Sequence, residues 1–198
     1  MSRTLRRAAI VSPIRTAVGK FQGGLASMQA GDLGAVVLKE LVKRTKIDPE
    51  RIDDVVFAQG YASGEAPCIA RWSALAADLP ISVPGYQLDR RCGSGLQAII
   101  DAAMFVQTGA ADVVVAGGVE SMSRSPLVMS RAESAFARDI KLYDSTIGPR
   151  FSNPKLVKRF GDDQMPQTAD NLAREYKISR EEADVFAARS QQRYQIAK

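Results

Sequence analysis

Short apolar runs alternate with amphipathic stretches over the first 118 residues. Ala8–Val11 is a brief apolar run closed by Ser12-Pro13 and reads as a buried strand. A loop carrying Gly19, Gly23 and Gly24 follows. From Asp32 to Arg44 the apolar positions Leu33, Val36, Val37 and Leu41 recur at helical spacing, which predicts an amphipathic helix. Asp48-Pro49 marks a turn. Val55–Ala58 reads as a strand ending at Gly60, Pro67–Ala77 as a helix, and Tyr86–Leu88 as a strand running into Cys92. Gly93–Val106 is apolar almost all round, which predicts a helix buried on most sides, ended by Thr108-Gly109. Asp112–Ala116 is valine-rich without alternation and reads as a fully buried strand, closed by Gly117-Gly118. Strands alternating with helices predict an α/β architecture with its central strands covered on both faces.

The texture changes near Val119. From Ser121 to Pro166 the chain is polar, weakly periodic and rich in Pro, Ser, Arg and Met. A structureless stretch of that length is uncommon inside a compact domain and points to a functional excursion or a cover over a partner. Helices are predicted again at Thr168–Tyr176 and at Ser179–Ala197, the second opened by the capping box Ser179-x-x-Glu182. The expected division is therefore residues 1–118 and residues 119–198. The pattern breaks off at Lys198 within good helical sequence.

Composition narrows the chemistry. Hydrophobic residues are 45% and charged residues 25%, an ordinary globular balance. No apolar run is long enough to span a membrane, and none after the basic start Met1–Arg7 has the length of a signal-peptide core. These features predict a cytoplasmic protein that uses neither membrane nor nucleic acid. The net charge of +5 comes from scattered basic residues, densest at Arg150, Lys155, Lys158 and Arg159. They read as a solvated surface, and a modest positive balance also suits an anionic ligand. The two cysteines, Cys68 and Cys92, fit neither a disulfide framework nor a zinc motif. The chain has no histidine, which excludes any Ser-His-Asp, Cys-His or histidine–metal site built from these residues alone.

The segment Asp89-Arg90-Arg91-Cys92-Gly93-Ser94-Gly95 places a cysteine where a strand turns into a helix. Unpaired N–H groups and the partial positive charge of a helix start favour thiolate, and Arg90 and Arg91 add to this. Gly93 and Gly95 allow close approach of a substrate or another backbone. The same N–H groups are placed to hold a developing oxyanion. The alternative is that Cys92 is a small buried hydrophobe. Cys68, in Pro67-Cys68-Ile69-Ala70, reads as a core residue. Ser94 is off register for a serine nucleophile elbow and has no histidine to activate it.

Pro13-Ile14-Arg15-Thr16 with Gly19-x-Phe21-x-Gly23-Gly24-Leu25 begins an ordered set of motifs over nearly the whole chain and is similar to the opening of the thiolase family. Arg90-x-Cys92-Gly93-Ser94-Gly95-Leu96-Gln97-Ala98 resembles its acyl-cysteine motif, and Ala116–Ser123 its next signature. Met165-x-x-Thr168-Ala169-x-Asn171 and Ser179–Glu182 resemble the start of its helical cap. A ketoacyl synthase relative shares the cysteine-at-helix logic, but the Gly117–Ser123 stretch fits thiolase better.

The resemblance implies a thiolase-like α/β fold, with a helical loop domain inserted in the first half and the second half absent from these residues. It implies an acetyl-CoA C-acyltransferase that condenses acetyl-CoA or thiolyses 3-ketoacyl-CoA. Cys92 would take the acyl group as a thioester and add its own N–H to an oxyanion site. Coenzyme A would be substrate, with no further cofactor or metal. The family's second half supplies the activating histidine, a second acid/base cysteine and part of both oxyanion sites, so the chain alone is expected to be inactive. Expected partners are acyl-CoA and CoA, a companion chain carrying the missing half, and copies of itself in a homodimer or tetramer. Met165 is the one carried-over substrate contact, along the pantetheine arm; the alternative is a flexible core filler. Asp89 stands where members commonly have Asn, Pro166 where many have Gly, and Gln164 where some have His. The stretch from Arg131–Phe136 through Thr146–Pro154 is similar to 3-oxoadipyl-CoA thiolases, whereas Glu65–Ile69 is more like general acetyl-CoA acetyltransferases. A contrasting reading is a non-catalytic fragment that binds CoA or pairs with a partner. Isolated, the chain is expected to aggregate or pair tightly through its uncovered apolar surface.

Overall fold

The computed structural model describes residues 5–132, 134–148 and 150–198. Glu133, within the stretch likened to 3-oxoadipyl-CoA thiolases, and the first four residues of the basic start lie outside the described residues. The chain forms two units: residues 1–128 with 144–146, and residues 129–143 with 147–198.

The first unit is built on a parallel sheet of three strands in the order β2-β1-β3. The strands are β1 (Asp54–Ala58), β2 (Gly85–Leu88) and β3 (Val114–Gly118). In register, Ala58 of β1 lies beside Leu88 of β2 and Gly118 of β3, so all three strands end together. β1 carries adjacent buried residues because both its faces are covered. Val55 and Phe57 join the core formed with α1 (Ala30–Thr45) and α2 (Ile69–Ala76), which includes Leu38, Ile69 and Ala70. Val56 and Ala58 alternate to the opposite face, and α3 (Ser94–Thr108) packs against β1 and β3.

Four expectations need correction. Ala8–Val11 forms no strand, and Ile10 and Val11 are 74% and 68% exposed. A short apolar run becomes a strand only by pairing, and the sheet offers it no neighbour among the described residues. β3 is only half-buried, because it is an edge strand with β1 on one side. Residues 121–166 are not structureless. They hold the short strands β4 (Leu127–Met129) and β5 (Leu142–Asp144) and the helix α4 (Pro154–Phe160). Asn153 caps α4 by accepting from the Lys155 N–H, with Pro154 at the first helical position; that pair was the overlooked signal. Lastly, α3 is not buried on most sides. Ser94, Ala98 and Ala102 are buried, while Leu96, Ile100 and Met104 are 65%, 42% and 53% exposed. Its sequence is apolar almost all round, but the described residues cover one face.

The second unit also contains α5 (Met165–Glu175) and α6 (Arg180–Ala197). α5 begins earlier than its periodicity predicts, with a proline in its first turn. α6 has the predicted reciprocal cap: Glu182 N–H donates to Ser179 Oγ at 3.2 Å, and Ser179 N–H donates to Glu182 Oε2 at 2.8 Å. No helix among the described residues is long and apolar enough to cross a membrane.

Two features of the first unit carry measurable consequences. At Gly34 of α1, an added Cβ would lie 2.3 Å from Ser73 Oγ of α2 and 3.2 Å from the Phe57 ring. Helix propensity alone favours Gly→Ala by about 1 kcal/mol. Gly34→Ala is expected to destabilise the chain instead, read as a lower urea midpoint; a raised midpoint would contradict the close α1–α2 contact. At the other end of the sheet, the Asp53 carboxylate accepts from the N–H groups of Asp112 (2.7 Å) and Val113 (2.9 Å). The Val113 bond and then the Asp112 bond hold its pKa below the ordinary 3.8. A carboxyl depressed in the folded state adds stability above its unfolded pKa and loses it as pH falls through the folded value. Asp53→Asn should therefore flatten the acid limb of the stability–pH curve, and an unchanged limb would exclude this role.

Candidate active site at the sheet edge

The carboxyl ends of parallel strands are the usual place for chemistry in open α/β sheets, because the loops leaving them converge there. Here β1 leads into Gln59-Gly60-Tyr61, β2 into Asp89–Cys92, and β3 into Val119-Glu120. Cys92 lies in a single tight turn, Arg91–Gly93, which passes directly into α3. It is exposed among the described residues. An added Cβ at Gly95 would meet nothing within 4 Å, leaving open space on this side of the turn. Cys68, expected in the core, is half-buried and packs against it at the start of α2.

The turn is held by its neighbours. Ser94 is 3% exposed, and its hydroxyl spans the cysteine. It accepts from the Arg90 N–H and donates to the Arg91 carbonyl, both at 2.6 Å. Ser94 is thus a structural clamp, in line with the absence of a histidine to activate it. Arg90 donates to Gln97 on α3, which in turn donates to Asp101 at 2.7 Å. Tyr86 of β2 donates to the same carboxylate at 3.3 Å, and its phenol is pushed up to about 12, first by burial and then by the Asp101 charge. Residues after β3 are fastened elsewhere in the unit: Arg124 Nε reaches both Glu65 oxygens at 3.0 and 3.1 Å.

Glu120 lies within the Ala116–Ser123 stretch, where the motif alone assigns it no role. Its carboxylate accepts from the N–H groups of Gly60 (2.9 Å) and Tyr61 (3.2 Å), bridging the ends of β3 and β1. The signal available was its position, immediately after a buried valine-rich strand closed by two glycines. Burial raises its pKa above the ordinary 4.5, with the Asp89 charge adding to this; the Gly60 and Tyr61 N–H groups and Arg91 oppose it. Met165, the other sequence-derived site residue, is the first residue of α5 in the second unit and is 79% exposed. It fills no core position.

A family model for the thiolase N-terminal domain matches residues 8–198. This chain belongs to the thiolase family. It is 49% identical over 191 residues to the 3-oxoadipyl-CoA/3-oxo-5,6-dehydrosuberyl-CoA thiolase of Escherichia coli K12, covering 96% of this chain and 48% of that protein. It is 43% identical to an acetyl-CoA acetyltransferase of Pseudomonas aeruginosa over 93% of this chain and 46% of that one. The crystal structure of the Bacillus anthracis acetyl-CoA acetyltransferase superposes with a TM-score of 0.86 at 34% identity, covering 96% of this chain and 47% of its own. The chain thus spans about half the length of the curated relatives it matches. The thiolase-like α/β fold implied by the motifs is the one observed.

The raised carboxyl of this thiolase-family chain has a definite sign. A group whose folded pKa lies above its unfolded value contributes stability below the unfolded pKa and loses it as pH rises through the folded value. The chain should lose stability as pH climbs from about 4.5 through that range, whereas Glu120→Gln, neutral throughout, should lack that loss. Urea midpoints of both proteins across the interval check this, and parallel curves would remove Glu120 as the source.

Proposed function

We propose that Cys92 carries an acyl group as a thioester in transfer between CoA thioesters. The observation that carries this reading is an exposed cysteine, at the carboxyl edge of a parallel sheet and the start of α3, in a chain matched by the thiolase family over residues 8–198. The Cys92 thiolate attacks the thioester carbonyl, and the carbon–sulfur bond to CoA breaks. The CoA sulfur leaves with the electron pair and takes up a proton, and the Cys92 thioester then passes its acyl group to an acceptor. Backbone N–H groups of the turn are suited to the transient oxyanion. The 198 residues contain no histidine, and in this reading the base that activates the thiol is the histidine that the family's second half supplies.

In this reading residues 1–118 are the first part of the catalytic α/β domain and residues 119–198 belong to an inserted loop domain. Met165 touches the pantetheine arm, and coenzyme A is substrate rather than resident cofactor. The relatives' names cover acetyl and 3-oxo dicarboxylic acyl groups, and either class fits the same cysteine chemistry. The working assembly is a cytoplasmic homodimer or tetramer that includes the complementary half. A second reading, a non-catalytic fragment that pairs with a partner, draws on the exposed apolar face of α3 with Leu96, Ile100 and Met104.

The test is acylation from acetyl-CoA in the presence of a complementary C-terminal half, followed by peptide mass mapping. One acetyl group on Cys92, lost in Cys92→Ser, is the expected result. Acetylation elsewhere, or none with the complement bound, favours the non-catalytic reading.

A further inference from the structure

The residue before the nucleophile candidate is tied down from both neighbouring strand ends. Arg91 has φ +49°, in the left-handed region that residues other than glycine adopt at a cost. Three bonds oppose that cost. The Arg91 N–H donates to Asp89 Oδ1 at 2.8 Å. Its guanidinium pairs with Asp89 Oδ2 at 3.1 Å and also donates to the Gly60 carbonyl. The Gly60 peptide is itself anchored, since its N–H donates to Glu120. Asp89 follows β2 and Gly60 follows β1, so the tie crosses between adjacent strands. The backbone angles at Arg91 set the direction in which Cys92 leaves the sheet edge.

We propose that Arg91 is a positioning residue: its tie to Asp89 and Gly60 holds the left-handed turn that presents the Cys92 thiol. The role concerns backbone geometry, not the charge of the guanidinium. It bears on catalysis only through the reading of Cys92 as the acyl carrier.

Glycine distinguishes the two kinds of role, because it loses the side-chain tie but adopts positive φ freely. The 198-residue chain is labelled with iodoacetamide, and the rates at Cys92 and Cys68 are read separately by peptide mass mapping. Arg91→Leu and Asp89→Ala are expected to slow Cys92 labelling by about fivefold or more, the scale of a lost left-handed turn. Arg91→Gly is expected to stay close to the parent rate. The Cys68 rate should be unchanged, since that residue reports the core. The proposal is overturned if Arg91→Gly slows like Arg91→Leu, which would make charge the cause. It is equally overturned if Arg91→Leu or Asp89→Ala leaves the Cys92 rate unchanged or raised. Should Arg91→Leu unfold, seen as Cys68 labelling at its denatured rate, Arg91→Gln replaces it with the same expectation. Acetyl transfer from acetyl-CoA is a separate arm. Its failure at Cys92 removes the acyl-carrier reading without altering the labelling pattern.

Discussion

The placement of β1 between two parallel neighbours is the constraint on which the described site depends. Val55 and Val56 are fully buried on opposite faces, so the strand cannot shift register by one residue without exchanging its two packing environments. With that register set, Ala58, Leu88 and Gly118 end side by side. The loops that leave them then bring Gly60, Asp89, Arg91 and Glu120 within bonding distance. Gly60, the Asp89–Arg91 turn and Glu120 lie far apart in the chain, and the bonds that tie Gly60 to Arg91 and to Glu120 exist only because the three strands stop at one edge.

The helical layer serves this arrangement from one side. Small residues let α1 and α2 approach closely: Gly34 leaves space that Ser73 and Phe57 occupy. Gln87 on β2 accepts from the Ile69 N–H at the start of α2 at 3.0 Å, so the strand that leads to the cysteine also helps to fix that helix. On the other side α3 does two things at once. Its inner face, Ala98 and Ala102, packs on the sheet, and its first residue, Ser94, clamps the turn that carries Cys92. Packing and site geometry are therefore coupled through one helix.

In the proposed function the site depends on a proton acceptor beyond these residues. Cys92 is accessible and its turn is rigidly bonded, yet the 198 residues provide no histidine to accept its proton. The exposed apolar positions of α3, Leu96, Ile100 and Met104, agree with that reading in packing terms, because a helix apolar on most sides is suited to neighbours on most sides. Both features are accounted for by the complementary half invoked in the proposed function.

Local sequence determined a good deal. The α/β class, the strand at Val55–Ala58, the capping box at Ser179 and the position of Cys92 at a strand-to-helix junction were all legible, because each depends on residues close together in the chain. The ordered motifs pointed to the thiolase family for the same reason. What depends on neighbours in space was decided by the tertiary structure. Ala8–Val11 has strand composition but no strand beside it, and β3 is half-buried because it stands at an edge. The bonds of Glu120 and Arg91 to Gly60 form only where the ends of β1, β2 and β3 are brought together, and a hydrogen bond between residues 60 positions apart leaves no periodic trace in the sequence.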